Sequence, residues 1–297
     1  MGLPLVSLVT PVYNQAEYIA ETILSVLSQT YLNIEYIVID DGSTDDIDAA
    51  VAPYLERITF IKKLNSGQSD SLNIAWGKCS GQYLGYISAD DRLMPIAVER
   101  MVREFSRSKV VAVYPDYYLI DSSGARFRSV QAKEYDESKL KFGLECLPGP
   151  GALFLQKTFS IVGGWDSKFM QCPDFEFWVR MAKEGDFYHV SEFLADLRIH
   201  EESSSVGVIS EGRSDEIIVV AQEIIKDEPL EIAVKCLANA YIISSKHHAQ
   251  SGRLLMSLCR FQKAISLSFV IGFSFKSLRS LLSGLFRGIY YRLLKIK

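Results

Sequence analysis

Apolar and polar positions follow two periods over the first 115 residues. Short runs rich in β-branched and aromatic residues predict five strands, at residues 6–10, 34–39, 58–61, 83–88 and 110–114. Apolar residues three or four positions apart predict helices between them, at residues 17–30, 44–56, 69–79 and 95–107. This order of strands and helices predicts an α/β fold with a doubly wound, mainly parallel sheet.

The pattern changes after Pro115. A hairpin turn is predicted at residues 121–127, a Gly/Pro loop with a short strand at 147–157, and a helix at 174–185. Beyond the polar stretch 202–207, helical spacing predicts segments at 214–226, 229–246 and 252–297. We therefore expect an α/β domain over residues 1–205 and a C-terminal helical extension over residues 206–297.

Charge divides the chain at Glu231. The net charge is −4, yet all 36 acidic residues lie at or before Glu231, and eleven Lys or Arg follow it. An acidic body and a basic tail predict different partners, a metal-bound or small-molecule ligand for the body and an anionic surface for the tail. The five cysteines form no CxxC motif, so we expect neither a disulfide framework nor a zinc site, and a reducing cytoplasm.

Polar residues follow three of the predicted strands at the point where each ends. These stretches are Thr10–Asn14, Asp40–Asp41 and Ser88–Asp91. In a parallel sheet they share the carboxyl edge, where ligands bind. Carboxylates there suit a sugar nucleotide with a chelated Mg²⁺ or Mn²⁺, and the alternative is that they cap turns and helices. A Rossmann dehydrogenase or P-loop enzyme is disfavoured, because GxGxxG and GxxxxGK[ST] are both absent.

Five motifs occur together in a familiar order: VSLVTPVYN, EYIVIDDGSTD, NSGQSDSLN, GQYLGYISADD and PDFEFWVR. In this order they resemble the family 2 glycosyltransferases of the GT-A fold, over about residues 5–200. The resemblance implies a nucleotide-binding half at residues 1–115 and an acceptor half at 116–205. It also implies a metal-dependent, inverting transfer of a sugar from a nucleotide diphosphate to a hydroxyl group.

The resemblance implies a donor site, with Asp41 matching the acid that hydrogen-bonds the nucleotide base. A carboxylate only accepts hydrogen bonds, so it selects uracil, thymine or guanine, which carry an N–H, and UDP is favoured. For Asp70 and Asn73, a helix cap at Ser69 is an equal alternative. The implied donor-binding residues are Pro11, Tyr13, Glu17, Asp41, Asp70, Asn73, Ser88, Ala89, Asp90 and Asp91.

Ser88-Ala89-Asp90 stands where the family usually has an Asp-x-Asp metal motif. Ser88 replaces the first Asp and can hydrogen-bond a hydroxyl, whereas Asp90 is the expected ligand for Mn²⁺ or Mg²⁺, with Asp91 in support. His200 resembles the histidine that completes the metal site in many GT-A enzymes. A structural function for this lone histidine is an equal alternative.

Asp174 matches the family's catalytic base. An inverting transfer needs a carboxylate that takes the acceptor proton, while a cation can stabilise the leaving diphosphate. Pro173 stands where the family usually has Glu, and Glu176 is the second candidate for the base. The alternative for Asp174 is an acid that stabilises the start of its helix.

Two further features keep two interpretations each. Arg180 either anchors its helix or approaches the diphosphate. Gly149 and Gly151 resemble a glycine loop near the donor sugar and the acceptor, and the alternative is an ordinary turn.

The basic tail alternates apolar residues with Lys and Arg from residue 252 onward. Its longest uncharged run, residues 264–275, is too short to span a bilayer. Residues 275–297 predict an amphipathic helix on an anionic membrane, at the inner face of the plasma membrane. The alternative is a helical bundle packed on the catalytic domain or on another subunit.

The leading hypothesis is therefore a sugar transferase that acts on a glycan or lipid-linked acceptor, as in the assembly of bacterial surface polysaccharides, with no nucleic-acid partner. A processive synthase is disfavoured, because the Gln-x-x-Arg-Trp signature and membrane spans are absent. The alternative class is a catalytically silent protein that binds sugar nucleotides or acts as a scaffold, and Ser88 and Pro173 support it.

Overall fold

A computed structural model of the chain describes residues 2–200, 207–272 and 274–294. The described residues form two compact units that interleave along the chain. The α/β unit comprises residues 2–135, 146–167 and 180–200, and the helical unit comprises residues 136–145, 168–179 and the described residues from 207 onward. The predicted boundary at residue 205 and most of the loop at 202–207 lie outside the described residues.

The α/β unit contains a nine-stranded sheet in which all five predicted strands are present. The strands are β1 (Val6–Val12), β2 (Ile34–Asp40), β3 (Thr59–Lys62), β4 (Tyr83–Tyr86), β5 (Arg92–Leu93), β6 (Val110–Ile120), β7 (Arg126–Val130), β8 (Leu153–Leu155) and β9 (Asp186–Arg198). The order is β3-β2-β1-β4-β8-β6-β9-β5, with β7 paired to β6. The pairs from β3 to β4 and the pair β6–β9 are parallel, whereas β8 is antiparallel to both its neighbours. The predicted α/β fold is confirmed.

Among the described residues, five α-helices belong to the same unit. They are α1 (Ile19–Leu27), α2 (Ile47–Val51), α3 (Gln68–Trp76), α4 (Ala97–Glu104) and α6 (Gln156–Val162). Helices α1, α3, α4 and α6 contact strands of the sheet. In α1, Ile19, Ile23 and Val26 are buried, as their helical spacing predicted. The predicted helix at 44–56 is shorter, because Pro53 lies in a separate 3₁₀ turn after α2.

The long strand β9 was not predicted. Charged residues occur along it, and Asp196 and Arg198 are buried. Asp196 is paired inside the sheet, since it accepts hydrogen bonds from the guanidinium groups of Arg92 and Arg126, and Arg198 is paired with Glu21 of α1. Paired charges within a strand hide the apolar alternation on which the prediction depends.

The helical unit is built around one long helix. Its helices are α5 (Glu137–Lys141), α8 (Glu211–Ile224), α9 (Leu230–Gln250), α10 (Leu254–Leu267), α11 (Phe269–Gly272) and α12 (Phe275–Leu294), and helix α7 (Pro173–Met181) begins in this unit. Helices α8, α10 and α12 pack on α9. Asp215 of α8 joins three helices, because it accepts hydrogen bonds from Ser244 and His248 of α9 and from Arg260 of α10.

Among the described residues, no helix is both long enough and apolar enough to cross a membrane.

Candidate active site

The candidate site lies at the carboxyl edge of the parallel strands. Val12 of β1 is paired with Asp40 of β2, and Val9 is paired with Tyr86 of β4. This register brings the ends of all three strands to one edge, as predicted. The stretches 10–14, 40–41 and 88–91 therefore come together there.

Asp40 makes the turn after β2. It is fully buried, and its Oδ1 accepts a hydrogen bond of 2.8 Å from the backbone N–H of Ser43. Its Oδ2 has no hydrogen-bond partner among the described residues. Asp40 thus has the predicted function of stabilising the turn, and Asp41 is not needed for that function.

Asp41 holds the loop that precedes α3. Its Oδ2 accepts a hydrogen bond of 2.8 Å from Gly67 N–H, and its Oδ1 accepts one of 2.9 Å from Ser66 N–H and another from the Lys63 ammonium. Burial opposes ionisation of Asp41, but these hydrogen bonds outweigh it and lower the pKa of the carboxyl group. A carboxylate has about four acceptor positions, so one remains for a further donor.

Lys63 is a member of this site that the sequence analysis missed. Its ammonium group contacts Asp41, donates to Leu64 O at 2.8 Å and lies 3.8 Å from Asp70. It directly follows β3, at the same sheet edge where Asp41 follows β2. Its position directly after a strand could have identified it as a site residue from the sequence. In the structure, the largely buried ammonium group of Lys63 lies between the carboxylates of Asp41 and Asp70.

Asp70 and Asn73 lie on α3 but face different partners. Asp70 accepts a hydrogen bond from Ser66 Oγ, beside Lys63. Asn73 donates to Trp165 O and accepts from Trp165 N–H, both at 2.8 Å, so its amide joins α3 to a distant loop. This bridge explains Asn73 without a ligand. The proposed cap at Ser69 is wrong, because Gly67 is the N-cap and no side chain caps the helix.

The end of β1 presents an aromatic side chain beside Asp41. Pro11 is buried within β1, whereas Tyr13 is about half exposed and Glu17 is exposed. Asn14 adopts a positive φ of 52° and accepts a hydrogen bond of 2.7 Å from Thr44 N–H. The ends of β1 and β2 are therefore tied together, with the Tyr13 ring open to a ligand.

The structure brings Asp90 and His200 together across 110 positions of sequence. His200 Nε2 lies 3.0 Å from Asp90 Oδ2, and both side chains are largely buried. The His200 ring also packs on Tyr18 at a centroid distance of 5.2 Å. A carboxylate and an imidazole at this separation fit two positions around one divalent cation. Among the described residues, no group of three or more His, Cys, Asp or Glu could hold a metal ion.

Asp91 supports the turn that carries Asp90. Its Oδ1 accepts a hydrogen bond of 2.8 Å from Arg198 N–H. Burial, together with the negative charge of Asp90, raises the pKa of Asp91 well above its usual value. The Thr22 hydroxyl lies 2.7 Å from the carbonyl oxygens of both Ala89 and Asp91, which fixes the backbone between them. Ala89 is buried and Ser88 is half-buried.

Arg198 is the second residue that the sequence analysis missed. Its buried guanidinium donates to Asp90 O at 2.8 Å, to Ser122 O at 3.0 Å and to Glu21 at 2.7 Å. It lies at the end of β9, two residues before His200. The same strand therefore positions both sides of the Asp90–His200 pair.

Packing explains both glycines of the predicted loop. Gly151 has a φ of +77°, and a Cβ there would lie 2.6 Å from Leu93 Cδ2. A Cβ on Gly149 would lie 2.8 Å from the ring of Tyr117. These contacts support the turn alternative, and a ligand function for the loop stays a prediction.

Asp174 lies in the first turn of α7, in a segment of the helical unit. Trp178, Val179 and Met181 of the same helix are buried. Arg180 donates to Gly164 O at 2.6 Å and also to Val162 O, so it caps the end of α6. Arg180 therefore anchors its helix, and the assignment of Asp174 as the base stays a prediction.

A mainly parallel sheet with an acidic carboxyl edge and an Asp–His pair beside it defines a GT-A type of protein. The fold is similar to that of Staphylococcus aureus TarS residues 1–349 in complex with UDP-GlcNAc, with a TM-score of 0.70, 16% identity and coverage of 97% of this chain and 92% of that one. The mannosyltransferase PcManGT of Pyrobaculum calidifontis, in complex with GDP-Man and Mn²⁺, gives a TM-score of 0.62 at 15% identity, over 99% and 88% of the two chains.

The model of the family "Glycosyl transferase family 2" matches residues 7–162, more than half of the chain. The chain belongs to this family. It is 32% identical over 205 residues to an uncharacterized glycosyltransferase of Rickettsia prowazekii, covering 66% of this chain and 64% of that protein. It is also 29% identical over 209 residues to the chondroitin synthase of Escherichia coli, covering 69% and 30%. The match thus spans less than two thirds of each of these relatives.

Proposed function

We propose that this protein is a metal-dependent, inverting glycosyltransferase that moves a sugar from a nucleotide diphosphate, with UDP favoured, to a hydroxyl of a glycan or lipid-linked acceptor. The observation that carries the proposal is the sheet edge itself. Asp41 and Lys63 follow the neighbouring strands β2 and β3, and the Asp90–His200 pair lies after β4 and β9 at the same edge, in a chain that belongs to family 2.

Asp41 and Lys63 form the base-recognition pair. Asp41 accepts the ring N–H of the base through its remaining acceptor position. Lys63 holds that carboxylate in place, because its three N–H groups donate to Asp41, Leu64 O and Ser66 Oγ. Uracil presents an N–H between two carbonyl groups, whereas cytosine has no such N–H. The exposed ring of Tyr13 stacks on the base. The relatives in complex with UDP-GlcNAc and GDP-Man support a donor base that carries an N–H.

Asp90 and His200 would hold Mn²⁺ or Mg²⁺ together with the donor diphosphate. When bound, the cation supplies positive charge to the leaving diphosphate. His200 must be neutral at its ligating nitrogen, and Asp90 supplies the negative charge. Arg198 and Asp91 fix the backbone on which Asp90 lies. Ser88 is free of the metal in this arrangement and hydrogen-bonds a donor hydroxyl.

Asp174 takes the proton of the acceptor hydroxyl as it attacks the anomeric carbon from the face opposite the diphosphate. Glu176, on the same turn of α7, is the second candidate. The acceptor is a glycan or a lipid-linked glycan, and the basic tail predicts a peripheral location at the inner face of the plasma membrane. Two substitutions, Ser88 and Pro173 at positions where the family usually has acids, favour a catalytically silent binding protein as the alternative.

The test measures the release of nucleoside diphosphate from UDP-, GDP-, dTDP- and CDP-sugars, with Mn²⁺ and with EDTA. We expect turnover of one N–H-bearing nucleotide sugar, none with CDP, and loss of activity in EDTA. In Lys63→Gln, the loss of a charged hydrogen bond should weaken UDP binding by about 10- to 100-fold. Lys62→Gln is the matched control, because Lys62 is the exposed neighbour of Lys63 and pairs only with Asp48 among the described residues. Binding without turnover would favour the silent protein.

A further inference from the structure

The last helices of the helical unit have an inverted arrangement of side chains. In α10, the residues that face α9 are small, with Ser257 and Ala264 buried, while Leu255 and Leu258 are 80% and 58% exposed. Residues 257 and 264 are seven positions apart, two turns along one helix face; Leu255 lies on the opposite face and Leu258 to one side of it.

Helix α12 repeats this arrangement. Ser277 is buried, and a Cβ on Gly284 would lie 2.9 Å from Lys246 O and 3.1 Å from Ala249 Cβ of α9. The outward positions carry Leu282 and Phe286, which are 53% and 70% exposed. An amphipathic helix in water normally turns its large apolar side chains inward. Both helices therefore expose large apolar side chains that water solvates poorly and that a binding partner would cover.

Helix α11 extends the exposed apolar surface between them. Phe269 and Val270 are 69% and 80% exposed. We define the outer apolar face by six of these residues, namely Leu255, Leu258, Phe269, Val270, Leu282 and Phe286. Exposed apolar surface of this extent marks an interaction site.

Charge identifies the occupant. No acidic residue occurs after Glu231, so every charge on α10, α11 and α12 is positive. Lys263 and Arg279 are exposed on these helices and have no carboxylate partner among the described residues. A second copy of the same face would bring like charges together, whereas an anionic bilayer would neutralise them.

We propose that the outer apolar face inserts into the interfacial region of an anionic lipid bilayer, with Lys263 and Arg279 contacting lipid headgroups. The small residues on the inner faces let α10 and α12 lie close to α9, so that their large side chains are directed to the lipid. This arrangement is that of a surface-bound helix, with apolar residues below the headgroups and basic residues among them. The proposal is independent of whether the chain transfers sugar.

The test is sedimentation of the full chain with vesicles of phosphatidylcholine alone or mixed with phosphatidylglycerol. We expect binding to the anionic vesicles and at least tenfold weaker binding for Leu282→Gln/Phe286→Gln. The matched control is Leu32→Gln/Leu230→Gln, which removes two leucines that lie outside the face and are even more exposed. Since the altered side chains are exposed, the thermal unfolding temperature should stay unchanged.

A charge variant tests the second half of the proposal. Lys263→Gln/Arg279→Gln should lower affinity for anionic vesicles by roughly 25-fold, because each basic residue near an anionic surface contributes about 1 kcal/mol. Lys78→Gln/Lys157→Gln, which alters two exposed lysines elsewhere, should have no effect. The proposal is wrong if the chain ignores anionic vesicles, or if the control pairs weaken binding equally. A dimer in solution that Leu282→Gln/Phe286→Gln dissociates, without vesicle binding, would assign the face to a second copy.

Discussion

The α/β unit and the last helices of the helical unit use apolar residues in opposite ways. In the α/β unit, Leu8 of β1 and Ile23 of α1 are fully buried. In the helical unit, α10 and α12 turn Ser257 and Gly284 toward α9 and leave large apolar residues outside. Apolar residues thus form the core of the α/β unit, whereas those of α10 and α12 form an outer surface. Amphipathic spacing alone does not tell which way a helix faces.

The largest expected effect concerns the proposed base, Asp174, which lies in the first turn of α7. Asp174→Asn should lower transfer by about 10²- to 10⁴-fold, the usual contribution of a general base, and leave the Kd for UDP unchanged. Steady-state kinetics and calorimetry on the same variant measure both quantities.

Asp186→Asn, which changes an exposed acid at the start of β9, is the control for that experiment and should behave as the wild type. Full activity in Asp174→Asn, together with loss of activity in Glu176→Gln, would move the base to Glu176.

Core truncation tests the difference in packing directly. Leu8→Ala should lower the free energy of unfolding by about 2–5 kcal/mol, because it leaves a cavity between β1 and the helices. Leu282→Ala removes the same atoms from an exposed position and should change the free energy by less than about 0.5 kcal/mol. Urea unfolding of the two variants in solution, without lipid, measures both. Equal losses would mean that the outward side of α12 is a core surface.

The helical unit should also respond to pH through a partly buried histidine of α9, His247. Burial, with Lys246 nearby, lowers the pKa of His247 to about 4 from its usual 6.5. Between these values the unfolded chain binds the proton and the folded chain does not, so stability falls as the pH drops from 6.5 toward 4. The loss should reach up to about 3 kcal/mol at 1.4 kcal/mol per pKa unit.

Unfolding curves of the wild type and His247→Gln across this pH range isolate the effect, because the other titrating groups are common to both. The difference between the two proteins should grow as the pH falls. A difference that is independent of pH would contradict the burial of a neutral His247.

The smallest expected effect concerns the inner face of α12. Gly284→Ala places a Cβ 2.9 Å from Lys246 O, so the helices must separate, at a net cost of about 1 kcal/mol after the gain in helix propensity. Gly212→Ala in α8 has nothing within 4 Å of the new Cβ and should be neutral or slightly stabilising. Thermal unfolding compares the two. Equal effects would mean that α12 does not pack tightly on α9.

The sequence predicted what local spacing encodes. The five strands and the shared edge of 10–14, 40–41 and 88–91 could be predicted because β-branched runs and strand ends are local features of the sequence. The pairing of Asp90 with His200 followed from the family resemblance, and the structure brings the two side chains together.

Residues whose function depends on a distant partner were missed or assigned differently. Lys63 reaches Asp41 across 22 positions, and Asn73 reaches Trp165 across 92. Arg198 was not identified from the sequence, because β9 was not predicted, and it is this strand that brings its guanidinium to Asp90 O. No local pattern contains these pairs, because the fold creates them.

The central claim is that Asp90 and His200 hold a divalent cation with the diphosphate of a nucleotide bound by Asp41. The most direct measurement is calorimetric titration of UDP into the wild type, Asp90→Asn and the control Asp48→Asn, each with Mn²⁺ and with EDTA. The account predicts UDP binding in the wild type and in Asp48→Asn that is lost in EDTA, and no metal-dependent binding in Asp90→Asn. Binding that is identical in all three proteins, with or without Mn²⁺, would contradict it.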